Sequence, residues 1–132
     1  MRYGSFLAAG LLLLAACAGY STGPGYGGGG GGQGGGGGGP VGSVTVGPGI
    51  QFVSAHDGSQ NPAVASIAVG ATVTWTWSGS LRHSVQSTGT TSFTSSPIMS
   101  SGTYAAQFNT PGTYHYICAV HGASMSGTVI VQ

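Results

Sequence analysis

Short runs of alternating residues, separated by turn-forming residues, fill the chain from Val41 to Gln132 and constrain its fold more than any other feature. In the run Thr72–Trp77, for example, one valine and two tryptophans share one face and three threonines share the other. Alternation of this kind is typical of strands with one buried face, and no helical periodicity competes with it. The pattern therefore predicts an all-β, Greek-key β-sandwich. The predicted strands are Ser43–Val46, Ile50–Ser54, Val64–Val69, Thr72–Trp77, His83–Ser87, Thr103–Phe108, Gly112–Cys118 and Gly127–Val131.

The segment before Val41 has a different composition and predicts two further parts. Residues 1–16 have a short positive start and an apolar run too short to span a bilayer, which is typical of a signal peptide. The run ends in Leu14-Ala15-Ala16-Cys17, which resembles a bacterial lipobox and implies lipidation of Cys17. Residues 17–40 are mostly glycine and predict a disordered, flexible tether to the domain at 41–132. We expect an exported protein, lipid-anchored to the outer membrane and facing the periplasm.

Charged side chains are nearly absent, and this excludes several classes of function. The chain has two basic residues, Arg2 and Arg82, and one acidic residue, Asp57. Nucleic acid is not expected as a partner, because phosphate binding needs clustered lysine or arginine. A single carboxylate also cannot build a calcium or magnesium cage or a paired acid/base site.

A group of sulfur and imidazole side chains is the strongest candidate site. Cys118 ends the seventh predicted strand, and His121 and Met125 follow it in the expected loop, in the pattern Cys-x2-His-x3-Met. His83 lies upstream. If Cys17 is lipidated, Cys118 has no disulfide partner in an oxidising compartment, and a bound metal would explain the lone thiolate. Two histidines, one cysteine and a distant methionine suit copper.

Other interpretations of these residues are weaker. Structural zinc prefers four strong donors, and a cysteine–histidine nucleophile needs an orienting group that the sequence does not reveal. We expect His115 to point away from Cys118 and Met99 to pack peripherally. His56, beside Asp57 in a polar loop, stays open as a second metal-binding residue.

A family resemblance adds to this interpretation. The segment from Pro111 to His121, followed by Met125–Val131, resembles the C-terminal signature of cupredoxins of the plastocyanin and azurin kind, and the likeness covers about residues 41–132. The resemblance implies one copper ion per chain, with His83, Cys118 and His121 as equatorial ligands and Met125 as the weak axial ligand. Plastocyanins commonly have asparagine after the first histidine, where this chain has Ser84.

The expected function is electron transfer at the cell envelope by a monomer that is not an enzyme. The expected contact with its redox partners is a weak apolar one near His121, involving Gly122 and Ala123. Two alternatives stay open at this point. One is copper capture or delivery, and the other is a metal-free surface domain.

Overall fold

The computed structural model describes residues 41–132, which form eight β-strands. The signal peptide predicted at 1–16, the predicted lipidation of Cys17 and the tether predicted at 17–40 lie outside the described residues. Within the described part of the chain, no helix is long and apolar enough to cross a membrane. The strands are β1 (Ser43–Val46), β2 (Phe52–Ser54), β3 (Ala63–Ile67), β4 (Thr72–Trp77), β5 (Gln86–Thr88), β6 (Thr103–Gln107), β7 (Gly112–Cys118) and β8 (Gly122–Val131).

Two four-stranded sheets face each other. The first has the order β2-β1-β4-β6 and the second has the order β3-β8-β7-β5. The pairs β1/β4 and β3/β8 are parallel, and the other pairs are antiparallel. The predicted all-β sandwich is confirmed.

Trp75 lies at the centre of the core between the sheets. Its side chain and that of Val73 are fully buried, and Trp77 is 8% exposed, so the predicted inward face of β4 is confirmed. The Trp75 ring stacks on Phe93 at 5.7 Å between centroids and meets the edge of Tyr116 at 5.4 Å. Aromatic pairs in these geometries add to the stabilisation that burial of their area provides.

The two ends of the sandwich contain different strand ends and turns. We call the end where β1, β4 and β7 finish the upper pole, because Val46 aligns with Trp77 and Gly47 approaches both Ser78 and His83. The opposite end, the lower pole, contains the turn between β3 and β4. A six-residue strand such as β4 spans about 20 Å, so the poles are separated by roughly that distance.

The boundary predicted for the last strand was wrong, and so was the placement of Met125 in a loop. Strand β8 begins at Gly122 and not at Gly127. A register shift at Ile117/Cys118 pairs Cys118 with Gly122, whose φ of 61° is readily adopted by glycine. The turn after β7 is therefore short, and Met125 lies within β8. His83 was also predicted inside a strand, but it precedes β5 and is joined to Met99 by an isolated bridge.

Replacement of Gly127 by alanine should destabilise the sandwich. Tyr116 lies across Gly127 on the neighbouring strand, and an added Cβ would lie 2.1 Å from the ring carbon Cζ. Because the Tyr116 ring is fully buried, it cannot move aside easily. We expect Gly127→Ala to lower the free energy of unfolding of the metal-free protein by about 2–3 kcal/mol in urea denaturation. The control, Thr113→Ala at an exposed position of β7, should change it by about 0.5 kcal/mol or less. Equal stability of the two variants would contradict this packing.

Candidate metal centre

Cys118 is the centre of the candidate site. It ends β7 on the inward side, is fully buried and forms no disulfide. Its Sγ lies 3.5 Å from Nδ1 of His121 and 3.8 Å from Nδ1 of His83. The potential ligand atoms of these three residues all lie within 4.8 Å of one another. The structure therefore brings together the three residues that the sequence predicted as equatorial ligands.

The short turn after β7 places His121 beside Cys118. The His121 amide donates to the Cys118 carbonyl at 3.3 Å, which reverses the chain within four residues. The His121 side chain is half-buried, whereas His83 is 1% exposed. The His121 imidazole therefore reaches the surface of the upper pole, and the His83 imidazole does not.

Backbone and side-chain hydrogen bonds hold His83 from the other side of the site. His83 and Met99 exchange two backbone hydrogen bonds, each of 2.8 Å. The Ser84 Oγ accepts a hydrogen bond of 2.9 Å from the Ala119 amide, directly after Cys118. The residue that departs from the plastocyanin pattern thus links the two ligand-bearing segments. Met99 was expected to be peripheral, but its backbone contributes to the position of His83.

Ser96 is a buried residue that sequence analysis did not identify. Its Oγ accepts from the Val85 amide at 2.8 Å and donates to the Pro97 carbonyl at 2.9 Å. These bonds fix the segment that precedes Met99 against the segment that follows His83. Ser96 stands in a serine- and threonine-rich stretch, where nothing local distinguishes the buried hydroxyl from its exposed neighbours.

The surroundings of His83 favour a neutral imidazole. Burial lowers the pKa of His83, and the nearby His121 lowers it further. A neutral ring can donate an electron pair to a metal ion. Its Nε2 has no hydrogen-bond partner among residues 41–132, and a Cβ on Gly47 would lie 3.7 Å from that atom. Packing and backbone contacts therefore orient this ring.

The three side chains have the spacing that a first-row metal ion requires. With bonds of about 2.0 Å to nitrogen and 2.3 Å to sulfur, a trigonal centre separates sulfur from each nitrogen by about 3.7 Å. The observed separations of 3.5 and 3.8 Å agree with this value. A thiol has one proton and cannot donate to both rings at once, whereas one ion satisfies all three groups. Met125 is fully buried in the hydrophobic cluster that includes Cys118.

The other two histidines lie outside this group. His115 is exposed on the outer face of β7, where its Nδ1 lies 3.2 Å from the Thr128 hydroxyl. His56 is exposed in the turn after β2. Within the described chain, His83, Cys118 and His121 form the one cluster of three or more His, Cys, Asp or Glu side chains spaced for a metal ion.

Comparison with known proteins gives the family. Residues 59–132 match the family model described as copper binding proteins, plastocyanin/azurin family. Amicyanin-alpha of Methylorubrum extorquens is 40% identical over 77 residues, which are 55% of this chain. The chain spans 63% of the length of that relative.

Solved structures support the same conclusion about the fold. A purple cupredoxin from Nitrosopumilus maritimus is 28% identical, with a TM-score of 0.56 over 68% of this chain and 98% of that one. A variant of amicyanin solved in its Cu(I) form is 23% identical, with a TM-score of 0.54 over 68% of this chain and 80% of that one.

This chain belongs to the plastocyanin/azurin family of copper-binding proteins, the cupredoxins. Its cofactor is one copper ion, and the sulfur and imidazole groups described above fit that ion.

Removal of the Ser84 hydroxyl should loosen the connection between the two ligand-bearing segments. Ser84 is 2% exposed, and Ser84→Ala would leave the Ala119 amide without its acceptor. We expect the free energy of unfolding of the metal-free protein to fall by about 1–3 kcal/mol in urea denaturation. Ser84→Thr keeps a hydroxyl and should lose less than half as much. The link would be refuted if Ser84→Ala and Ser84→Thr were equally stable.

Proposed function

We propose that this chain is a type 1 (blue) copper electron-transfer protein. In this proposal His83, Cys118 and His121 are the equatorial ligands and Met125 is the weak axial ligand. The observation that carries the proposal is the position of one buried sulfur at 3.5 and 3.8 Å from two imidazole nitrogens. Copper in a site of this composition supplies one-electron chemistry by cycling between Cu(I) and Cu(II).

The surrounding residues support electron transfer because they hold the ligands in place. Cys118 ends a regular strand, His83 is paired with Met99, and Ser84 connects the two segments. Ligands fixed in this way change position little between oxidation states, which suits rapid outer-sphere transfer. We infer that the protein is not an enzyme. The one carboxylate side chain among the described residues, Asp57, lies in the connection between β2 and β3 and not in the cluster of candidate ligands.

Electron exchange with a partner would pass through the surface around His121. Six large apolar side chains are exposed among residues 41–132, and four of them lie in loops of the upper pole. We call these four the apolar rim. The apolar rim consists of Ile50, Leu81, Ile98 and Val120, which are 45–51% exposed. Ala123 is also exposed and Gly122 is half-buried. The apolar surface near His121 also includes Ile50, Leu81 and Ile98, which lie in three further loops.

The proposed cellular setting rests on the sequence alone. A signal peptide at 1–16, a lipidated Cys17 and a tether at 17–40 would place a monomeric domain, residues 41–132, at the outer membrane facing the periplasm. The tether would join the domain at Val41, next to the start of β1 at the lower pole. Its attachment point would then lie about 20 Å from the surface proposed for partner contact.

Addition of Cu(II) to the purified full-length chain tests the proposed function. We expect one equivalent of copper and the intense visible absorption of a copper–thiolate bond. Cys118→Ser should abolish the absorption, and His115→Ala, which changes a histidine outside the cluster, should retain it. Copper that passes to a chelator within seconds would favour capture or delivery. A protein that binds no copper would contradict both copper functions and favour a metal-free surface domain.

Electron self-exchange between two copies tests the contact surface without a known partner. Val120 and Val69 are both 47% exposed, at the upper and lower poles respectively. A lysine at Val120 places like charges at the contact, so we expect Val120→Lys to slow self-exchange at least about tenfold, or about 1.4 kcal/mol. Val69→Lys, with the same change in net charge, should leave the rate within about twofold. NMR line broadening in mixtures of Cu(I) and Cu(II) protein measures both rates. Equal slowing by the two substitutions would contradict contact at the upper pole.

A further inference from the structure

The placement of charge is the feature of the described domain that electron transfer alone does not explain. Among residues 41–132, Arg82 and Asp57 are the side chains that carry a full charge at neutral pH outside the histidines. Arg82 directly precedes His83 and therefore lies at the upper pole. Asp57 follows β2, in the connection to β3. The two opposite charges therefore lie in different connections, and only Arg82 adjoins a candidate copper ligand.

Arg82 presents its cation to solvent. Its side chain is exposed, and its guanidinium has no hydrogen-bond or ion-pair partner among residues 41–132. Its neighbour Leu81 belongs to the apolar rim and is 49% exposed. The cation is therefore presented outward at the edge of the surface proposed for partner contact.

Asp57 is fixed as an anion in its turn. The Ser59 amide donates to Asp57 Oδ1 at 3.0 Å, and the Ser59 hydroxyl donates to the same oxygen at 2.7 Å. These hydrogen bonds, with that of the amide the largest cause, lower the pKa of Asp57. Asp57 therefore carries a negative charge throughout the neutral pH range.

A single charge matters here because so few other charges surround it. In an ordinary domain about a quarter of the residues are charged, and the contribution of one arginine is largely cancelled by its neighbours. In this chain 2% of residues are charged, so no carboxylate near Arg82 offsets its field. That field extends about 30 Å at 0.01 M ionic strength and about 10 Å at 0.1 M. Approaching molecules therefore meet a positive upper pole.

We propose that Arg82 selects a redox partner whose docking face is apolar and carries carboxylates beside the apolar area. A carboxylate on the partner can accept two parallel hydrogen bonds from the guanidinium, while the apolar rim covers the partner's apolar area. This inference rests on the proposed function, because it assigns the partner chemistry of the proposed electron-transfer surface.

Mixed monolayers on gold reproduce this partner chemistry. The copper-loaded full-length chain is applied to a surface of methyl and carboxylate groups, and to a matched surface of methyl and ammonium groups, at about 0.01 M ionic strength. On the carboxylate surface we expect tighter adsorption and rapid electron exchange, because the upper pole faces the electrode. The ammonium surface repels Arg82 and turns the upper pole away from the electrode, so electron exchange should be at least tenfold slower there. A quartz microbalance measures adsorption independently of the electron signal.

Three variants distinguish the effect of the Arg82 side chain on adsorption from the effect of net charge. Arg82→Gln should weaken adsorption to the carboxylate surface about fivefold, the effect of one arginine at a negatively charged surface. Arg82→Lys keeps the charge and should lose less than twofold, and Asp57→Asn should not weaken adsorption. Visible spectra should be unchanged in all three. Equal adsorption of wild type and Arg82→Gln would overturn the inference. Wild-type protein without the visible absorption or self-exchange would instead refute the proposed function.

Discussion

The hydrogen bond between the Ala119 amide and the Ser84 hydroxyl is the contact on which the candidate metal centre most depends. It joins the residue after Cys118 to the residue after His83, although 35 positions separate them in the chain. With the paired backbone bonds between His83 and Met99, it brings two distant segments to one sulfur atom. A serine therefore makes this inter-segment connection at the position where plastocyanins commonly have asparagine.

The sandwich supports this contact through its packing and not through charge. Trp75 and Tyr116 hold the sheets together at their centre, and Gly127 leaves the space that the Tyr116 ring fills. Because β7 continues from this core to Cys118, the thiol is positioned by a strand that packs directly against the centre of the sandwich. The same low charge leaves the upper pole apolar, with Arg82 as its one fully charged side chain among the described residues apart from the histidines.

Much of this organisation could be predicted from the sequence, because alternation and ligand spacing are local signals. The run Thr72–Trp77 and the strand ending at Cys118 have the boundaries that their patterns indicate. The start of β8 was missed because it depends on a register shift against β7, which no pattern within residues 122–126 reveals. The roles of Ser96 and of the apolar rim were missed for a related reason. They arise where loops distant in sequence meet at one pole.

X-ray absorption at the copper edge tests the central claim most directly, because it reports the atoms bound to the metal in the full-length protein. The account predicts one sulfur and two imidazole nitrogens in the first coordination shell of the copper. It also predicts that the sulfur contribution disappears when Cys118 is replaced by serine. A first shell of nitrogen and oxygen alone in the wild-type protein would contradict it.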